Sequence, residues 1–221
     1  YGTDKKAWGG EILHAHYSSF DRVGSLEEIP LVGGEMAIRD PRRLVFAIFS
    51  LLGRDMYTAQ LGTEQEARVL EKLLKKAPKT SSFGRVLDAL SCYLGICQRM
   101  TYDGEPAMKL ERYLAEGERT YEFETSVKSA DRKIVLTLPL FDQLAEYRIS
   151  TEKDKADLAY SFVYALVKEM VEIAADACST AGITVIGITG GVSYDVPIVR
   201  MAESLVKEKG LRFLTHDKIP N

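Results

Sequence analysis

The run from Ile183 to Arg200, Ile-Thr-Val-Ile-Gly-Ile-Thr-Gly-Gly-Val-Ser-Tyr-Asp-Val-Pro-Ile-Val-Arg, constrains this 221-residue chain more than any other stretch. Ile183 to Ile188 is short, apolar and β-branched, which predicts a buried strand. Thr189, Gly190 and Gly191 make a tight turn, and a helix is expected from about Asp195 to Lys209, with Ile198, Met201 and Leu205 on its apolar face. A strand, a diglycine and a helix in that order let backbone approach a ligand with no Cβ in the way, beside the positive end of a helix. A nucleotide is the natural occupant of such a place. Two glycines are a short fingerprint, and an ordinary strand-to-helix connection has the same pattern.

A chain this long can bury one core, or form one lobe of a larger protein. Its net charge of −3 provides no global basic field for nucleic acid or anionic membrane. The basic stretches at Arg42-Arg43 and Lys72 to Lys79 read as solvated helix faces. No apolar run reaches membrane-spanning length, and the start does not read as a signal peptide. Cys92, Cys97 and Cys178 have neither metal spacing nor an even count, so reduced, buried thiols of a cytoplasmic protein are expected. Tyr1-Gly2-Thr3-Asp4 opens without methionine inside what reads as a turn. Asn221 stops where more chain would be natural, so a piece of a longer protein is expected.

Gly10 to Tyr17 and Phe20 to Glu27 read as an antiparallel strand pair around Ser18-Ser19, and Pro30 to Gly34 as loop. Asp40 followed by Pro41 predicts a helix start with Asp40 as cap. Thr63 with Glu66 predicts a capping box. Thr80-Ser81-Ser82 predicts the cap of a helix over Phe83 to Ile96, and further helices are expected over Gly104 to Ala115 and Asp154 to Cys178. Ser126 to Asp131 reads as polar connection and Ile134 to Leu138 as a strand. Parallel strands over Ile183 to Ile188 and Leu211 to Leu214 close the chain. The layout is a strand pair over 1–30, a mainly helical insertion over 31–180 and a β-α-β unit over 181–221. The fold class is α/β with a helical insertion.

Several residues carry possible chemistry. Gly84 and Asp88 lie one turn apart on a predicted helix. A carboxylate there can accept both hydroxyls of a ribose while the glycine leaves room for the sugar. The alternative is a surface Asp and a helix glycine that costs about 1 kcal/mol relative to alanine. His14 and His16 alternate on a strand, which puts both rings on one face. No third ligand lies nearby, which favours partly exposed strand histidines over a metal site. His216-Asp217 follows a strand end, where open α/β sheets bind ligands, and suits a turn equally. Gly9-Gly10 and Gly33-Gly34 fit phosphate turns or plain punctuation. Cys92 has no His or Lys neighbour in its apolar pattern and does not read as a nucleophile.

In order along the chain stand Tyr1-Gly-Thr-Asp, Trp8-Gly-Gly-Glu11, Arg22-Val23, Ala37-Ile-Arg-Asp-Pro-Arg-Arg43, Thr80-Ser-Ser-Phe-Gly-Arg-Val-Leu-Asp88, Leu94-Gly-Ile96 and Tyr102-Asp-Gly-Glu-Pro-Ala-Met108. Gly190-Gly191-Val192 and His216-Asp-Lys-Ile-Pro-Asn221 follow. This series resembles the C-terminal, Kae1-like part of the HypF hydrogenase maturation family, over nearly the whole chain and most weakly from Glu118 to Glu146. The resemblance implies a nucleotide-binding lobe of the actin, sugar-kinase and Hsp70 superfamily, with its ribonuclease H-like fold. It implies carbamoyltransferase chemistry, in which carbamoyl adenylate made from carbamoyl phosphate and ATP gives its carbamoyl group to the C-terminal cysteine of the partner HypE. The thiocarboxamide becomes a cyanide ligand of the iron in [NiFe] hydrogenase.

Carried over by motif, Gly84 and Asp88 match the family's ribose-contacting pair and Gly190 and Gly191 its adenosine loop. Tyr1 and Gly2 match the tail of a glycine-rich phosphate turn. Asp195 stands where the family commonly has an asparagine near the adenine, and a carboxylate accepts hydrogen bonds without donating any. The family often has Phe-His where this chain has Phe162-Val163. The resemblance places the ligands of a divalent metal, zinc or iron, outside this chain, so His14 and His16 are not the family's metal pair. The chain alone is therefore expected to lack transferase activity, its partners being the rest of a HypF chain and a HypE-type acceptor. Two other readings are a non-catalytic nucleotide-binding or docking module of a maturation complex, and a small-molecule kinase of the same superfamily.

Overall fold

The computed structural model describes residues 2–4, 6–54 and 63–216. Tyr1 and Asp217, both singled out in the sequence, lie outside them. The alternating N-terminal segment forms the expected hairpin: β1 (Glu11–Ala15) pairs antiparallel with β2 (Phe20–Leu26), with His14 opposite Asp21. The His16 amide donates to the Ser19 carbonyl at 2.8 Å and closes the turn. After β3 (Ile29–Pro30) and the glycine turn come α1 (Glu35–Arg39), a short helix without a sequence signal, and α2 (Arg42–Leu51). Asp40 does not cap α2. Its carboxylate instead accepts Arg42 Nε and Nη2 at 2.7 and 2.6 Å, a two-bond grip that takes its oxygens away from the helix amides. Helix α3 (Glu64–Leu74) is capped by Thr63, which accepts the Glu66 amide at 3.1 Å. The Glu66 carboxylate meets Arg43 at 3.2 Å, so only the Thr63 half of the expected box is seen.

Next come β4 (Lys79–Thr80), α4 (Phe83–Tyr93) and α5 (Glu105–Glu116), then β5 (Ser126–Ser129) and β6 (Lys133–Leu136). The predicted polar connection over Ser126 to Asp131 is largely strand. As the outer strand of its sheet, β5 bonds to β6 through backbone and leaves its polar side chains mostly exposed. The strand expected to reach Leu138 stops at Leu136 because α6 (Leu138–Leu144) begins there. The Glu27 carboxylate accepts the Thr137 and Leu138 amides at 2.9 and 3.0 Å, a cap supplied from a distant strand end.

Helix α7 (Glu152–Ala181) opens with a full capping box between Thr151 and Asp154. It leads to β7 (Val185–Gly187), a 3-10 turn (Gly191–Tyr194), α8 (Val196–Glu208) and β8 (Arg212–Leu214). A four-stranded sheet runs β1-β2-β6-β5, with β2 and β6 parallel, so the strand pair at the N-terminus shares its sheet with strands from the 31–180 segment. β7 and β8 pair parallel, as expected.

Helix α7 contacts β1, β2 and β6 and also α5 and α8. Leu158, Phe162, Val163 and Leu166 are all fully buried, because several elements surround the helix's first half. Phe162 meets Phe141 and Phe123 at ring separations of 5.0 and 5.6 Å. A smaller cluster of Val32, Phe46, Ala47, Ala67 and Leu70 seats α3 on α2. β7 is only half-buried, against expectation, since α7 and α8 pack beside a sheet of just two described strands. Among the described residues no helix is long and apolar enough to cross a membrane.

Candidate functional site

The candidate site is organised around α4. Its N-terminus is tied to the start of the chain: Ser81 N–H and Phe83 N–H donate to the carbonyls of Ala7 and Gly9, both at 3.1 Å. The Ser82 hydroxyl caps the helix by accepting the Arg85 amide. A polar knot stands behind this joint. The buried Glu11 carboxylate accepts from Arg22 Nη2 at 2.7 Å, from the Gly10 amide at 2.9 Å, and from the Gly9 amide and the Ser81 hydroxyl. The Arg22 guanidinium lies 4.3 Å from the centre of the Trp8 ring. Sequence reasoning quoted Trp8, Glu11 and Arg22 as motif letters and assigned them no work. The spacing of Glu11 and Arg22 across a predicted hairpin could have shown them as cross-strand partners.

Gly2 rests on this joint. A Cβ there would stand 2.1 Å from the Trp8 ring, and the Gly2 amide donates to the Lys6 carbonyl at 2.9 Å. Close packing on Trp8 accounts for the glycine. Gly10 is similarly crowded, its missing Cβ being 2.3 Å from the Ser81 carbonyl oxygen.

Asp88 lies one turn beyond Gly84 and is 1% exposed, not the surface residue of the bland reading. Arg85 Nη1 stands 2.7 Å from Asp88 Oδ2, yet neither atom is aligned for a hydrogen bond with any group, so the contact is an ion pair only. Burial pushes the Asp88 carboxyl up to about 6, opposed by Arg85 and aided by Asp103. Asp88 is thus a carboxylate with an unused acceptor oxygen beneath a partly exposed arginine. Around the missing Cβ of Gly84, the only neighbour within 4 Å is Ser82 Oγ, at 3.6 Å.

The 3-10 turn packs against α4. Gly190, at φ 88°, adopts backbone that L side chains rarely enter, and the Ser193 amide and hydroxyl both donate to its carbonyl, at 3.0 and 2.7 Å. Asp195 caps α8 by accepting the Ile198 amide at 3.0 Å. Burial raises its carboxyl to about 6; the Ile198 amide opposes the shift and Glu111 adds to it. Glu111 also accepts the Val196 amide, joining α5 to the start of α8. Tyr194 stacks on His216 at 6.2 Å, and His216 Nε2 is buried without a hydrogen bond among the described residues. Cys92, Cys97 and Cys178 are buried and free, as expected, and burial pushes the Cys92 thiol up to about 12, far from thiolate chemistry.

Each described glycine can be asked what would stop a side chain there. Most have either a positive φ or an atom where Cβ would go. Three have neither: Gly84, Gly187 and Gly191. Gly84 opens α4, and Gly187 and Gly191 flank the turn against it. Neither backbone conformation nor packing explains these three. Gly187 was passed over in the sequence; a glycine inside a strand was the available signal.

A chain with this architecture belongs to the class of Kae1-like domains. The family model described as "Carbamoyltransferase, Kae1-like Domain, second subdomain" matches residues 1–221. The chain is 34% identical over 229 residues to the probable carbamoyltransferase HypF of Methanocaldococcus jannaschii, covering 100% of this chain and 29% of that relative. It superposes on the crystal structure of T.kodakarensis HypF with a TM-score of 0.84 at 30% identity, covering all of this chain and 30% of that one. It also superposes on full-length HypF in a phosphate- and nucleotide-bound form with a TM-score of 0.87, at 23% identity, over 29% of that structure. The chain belongs to the HypF carbamoyltransferase family and spans under a third of the length of these relatives.

Proposed function

We propose that this chain is the nucleotide-holding part of a HypF-type carbamoyltransferase. Gly84 and Asp88 would seat the ribose, Gly190 and Gly191 the adenosine, with Asp195 near the base and Gly2 at the phosphate side. The observation that carries this reading is Gly84 and Gly191, which neither backbone conformation nor packing explains, set beside a buried carboxylate with an unused oxygen. Arg85 must swing aside for a ribose hydroxyl to reach Asp88, and its partial exposure leaves it room to do so. Asp195 already spends a lone pair on the Ile198 amide, so it would recognise the base only through its remaining acceptor sites.

In the full protein, the thiolate of a HypE-type C-terminal cysteine would attack the carbonyl carbon of carbamoyl adenylate. The anhydride C–O bond breaks, AMP leaves with the electron pair, and the carbamoyl group stays on sulfur. A bound metal would offset phosphate charge in such a reaction. Around Gly84, Asp88, Gly190 and Asp195, the described residues include no group of three His, Cys, Asp or Glu side chains able to hold an ion. The residues there do not fit the metal.

Calorimetric titration with ATP and with AMP tests the reading. Binding is expected, and Asp88→Asn, which keeps the shape and removes the charge, is expected to weaken it tenfold or more, about 1.4 kcal/mol. Equal affinity in the variant would remove Asp88 from the site.

A further inference from the structure

The hairpin tip holds a second cluster that the function above does not use. His14 and His16 share a strand face, with ring centres 4.4 Å apart. Antiparallel register sets Asp21 directly opposite His14. Sequence spacing found no third ligand near the histidines; the β1–β2 register supplies one. A ligand atom from each of the three residues lies within 4.8 Å of the others. Among the described residues, none of the three side chains makes a hydrogen bond or ion pair, and they form the only such metal-capable group.

We propose that this hairpin tip binds one divalent transition-metal ion through His14, His16 and Asp21. Three donors each about 2.1 Å from a shared tetrahedral ion stand roughly 3.4 Å from one another. A pair as far apart as 4.8 Å therefore has to close by about 1.4 Å, shared between two side chains at an exposed strand end. Two imidazoles and one carboxylate select zinc, nickel or copper over magnesium and calcium, which take oxygen ligands. His16 and Asp21 are exposed, so three protein donors leave at least one coordination position open to water or to an incoming donor group. The cluster shares no residue with the proposed nucleotide site.

Zinc chloride titrated into the 221-residue chain, followed by calorimetry and by the histidine C2–H resonances, tests the site. One ion per chain is expected, shifting the resonances of His14 and His16 and not that of His216, the third histidine. His14→Gln with His16→Gln should reduce affinity well beyond the roughly tenfold typical of losing a supporting partner. Asp21→Asn should reduce it less, and excess magnesium should not compete. All three residues are at a hairpin end, so unchanged unfolding midpoints are expected for the variants. Absence of a saturable one-to-one event in the native chain, or equal binding by the double variant, would overturn the proposal. The latter outcome would assign the ion to another donor set, the thiols included.

Discussion

Two glycine pairs in this molecule look alike in sequence and differ in what surrounds them. Gly9-Gly10 is pressed against the start of α4: a Cβ on Gly10 would be 2.3 Å from the Ser81 carbonyl oxygen and 2.8 Å from Leu26. Gly190-Gly191 has nothing within 4 Å of either missing Cβ. The first pair lets two pieces of backbone meet. The second borders space, and beyond the positive φ of Gly190 the fold makes no demand on it. A glycine required by packing and a glycine facing a vacant approach thus answer differently to the same substitution.

The largest effect is expected at Gly10. Gly10→Ala drives a methyl into backbone, which cannot rotate away, and should destabilise by about 3 kcal/mol in urea unfolding. A near-neutral result would erase the contrast between the two pairs. Asp88 sharpens it next. Its carboxyl rises from 3.8 unfolded to about 6 folded, so the folded chain binds the proton more tightly. Its contribution is full below pH 4 and is lost as pH rises through 6, on the order of 2–3 kcal/mol. Asp88→Asn should flatten that fall when unfolding is measured at pH 4.5 and pH 7, while weakening nucleotide. Asp195→Asn should flatten it in the same direction, its carboxyl also being raised to about 6.

The open pair is separated from within by φ. Gly190→Ala should cost about 1–2 kcal/mol through its left-handed backbone, whereas Gly191→Ala should change stability little. At Gly84 the expected sign reverses. Alanine there should raise the unfolding midpoint slightly, by up to about 1 kcal/mol, and reduce ATP affinity. A rise in stability with unchanged affinity would leave Gly84 without a ligand to explain it.

Much of the element order was legible in the residues, for reasons confined to short stretches of chain. The Thr63 cap, the Ser82 cap and the alternation around Ser18-Ser19 are satisfied within a few residues of themselves. The failures have other causes. Asp40 had a local partner in Arg42 that outcompeted the helix amides. Helix α6 has its end amides satisfied by Glu27, whose side chain no local pattern ties to Thr137. β5 reads as polar connection because an outer strand needs only backbone to pair. Of the candidate site, Gly84, Asp88, Gly190 and Gly191 could be named from spacing, and Gly2 and Asp195 only from the family resemblance; that Asp88 is buried under Arg85, and that Gly187 shares the lack of a packing reason with Gly84 and Gly191, could not.

The sequence by itself determined the hairpin, the long α7, the closing β-α-β unit and the motif series that places the chain in its family. Those depend on periodicity, caps and turn residues, whose interactions span a few positions. Only the tertiary structure decided which glycines are crowded and which are open, where Glu11 and Glu27 send their carboxylates, and that Asp21 stands opposite His14. Burial and cross-strand register arise from contacts between residues far apart in the chain, and local pattern does not encode them.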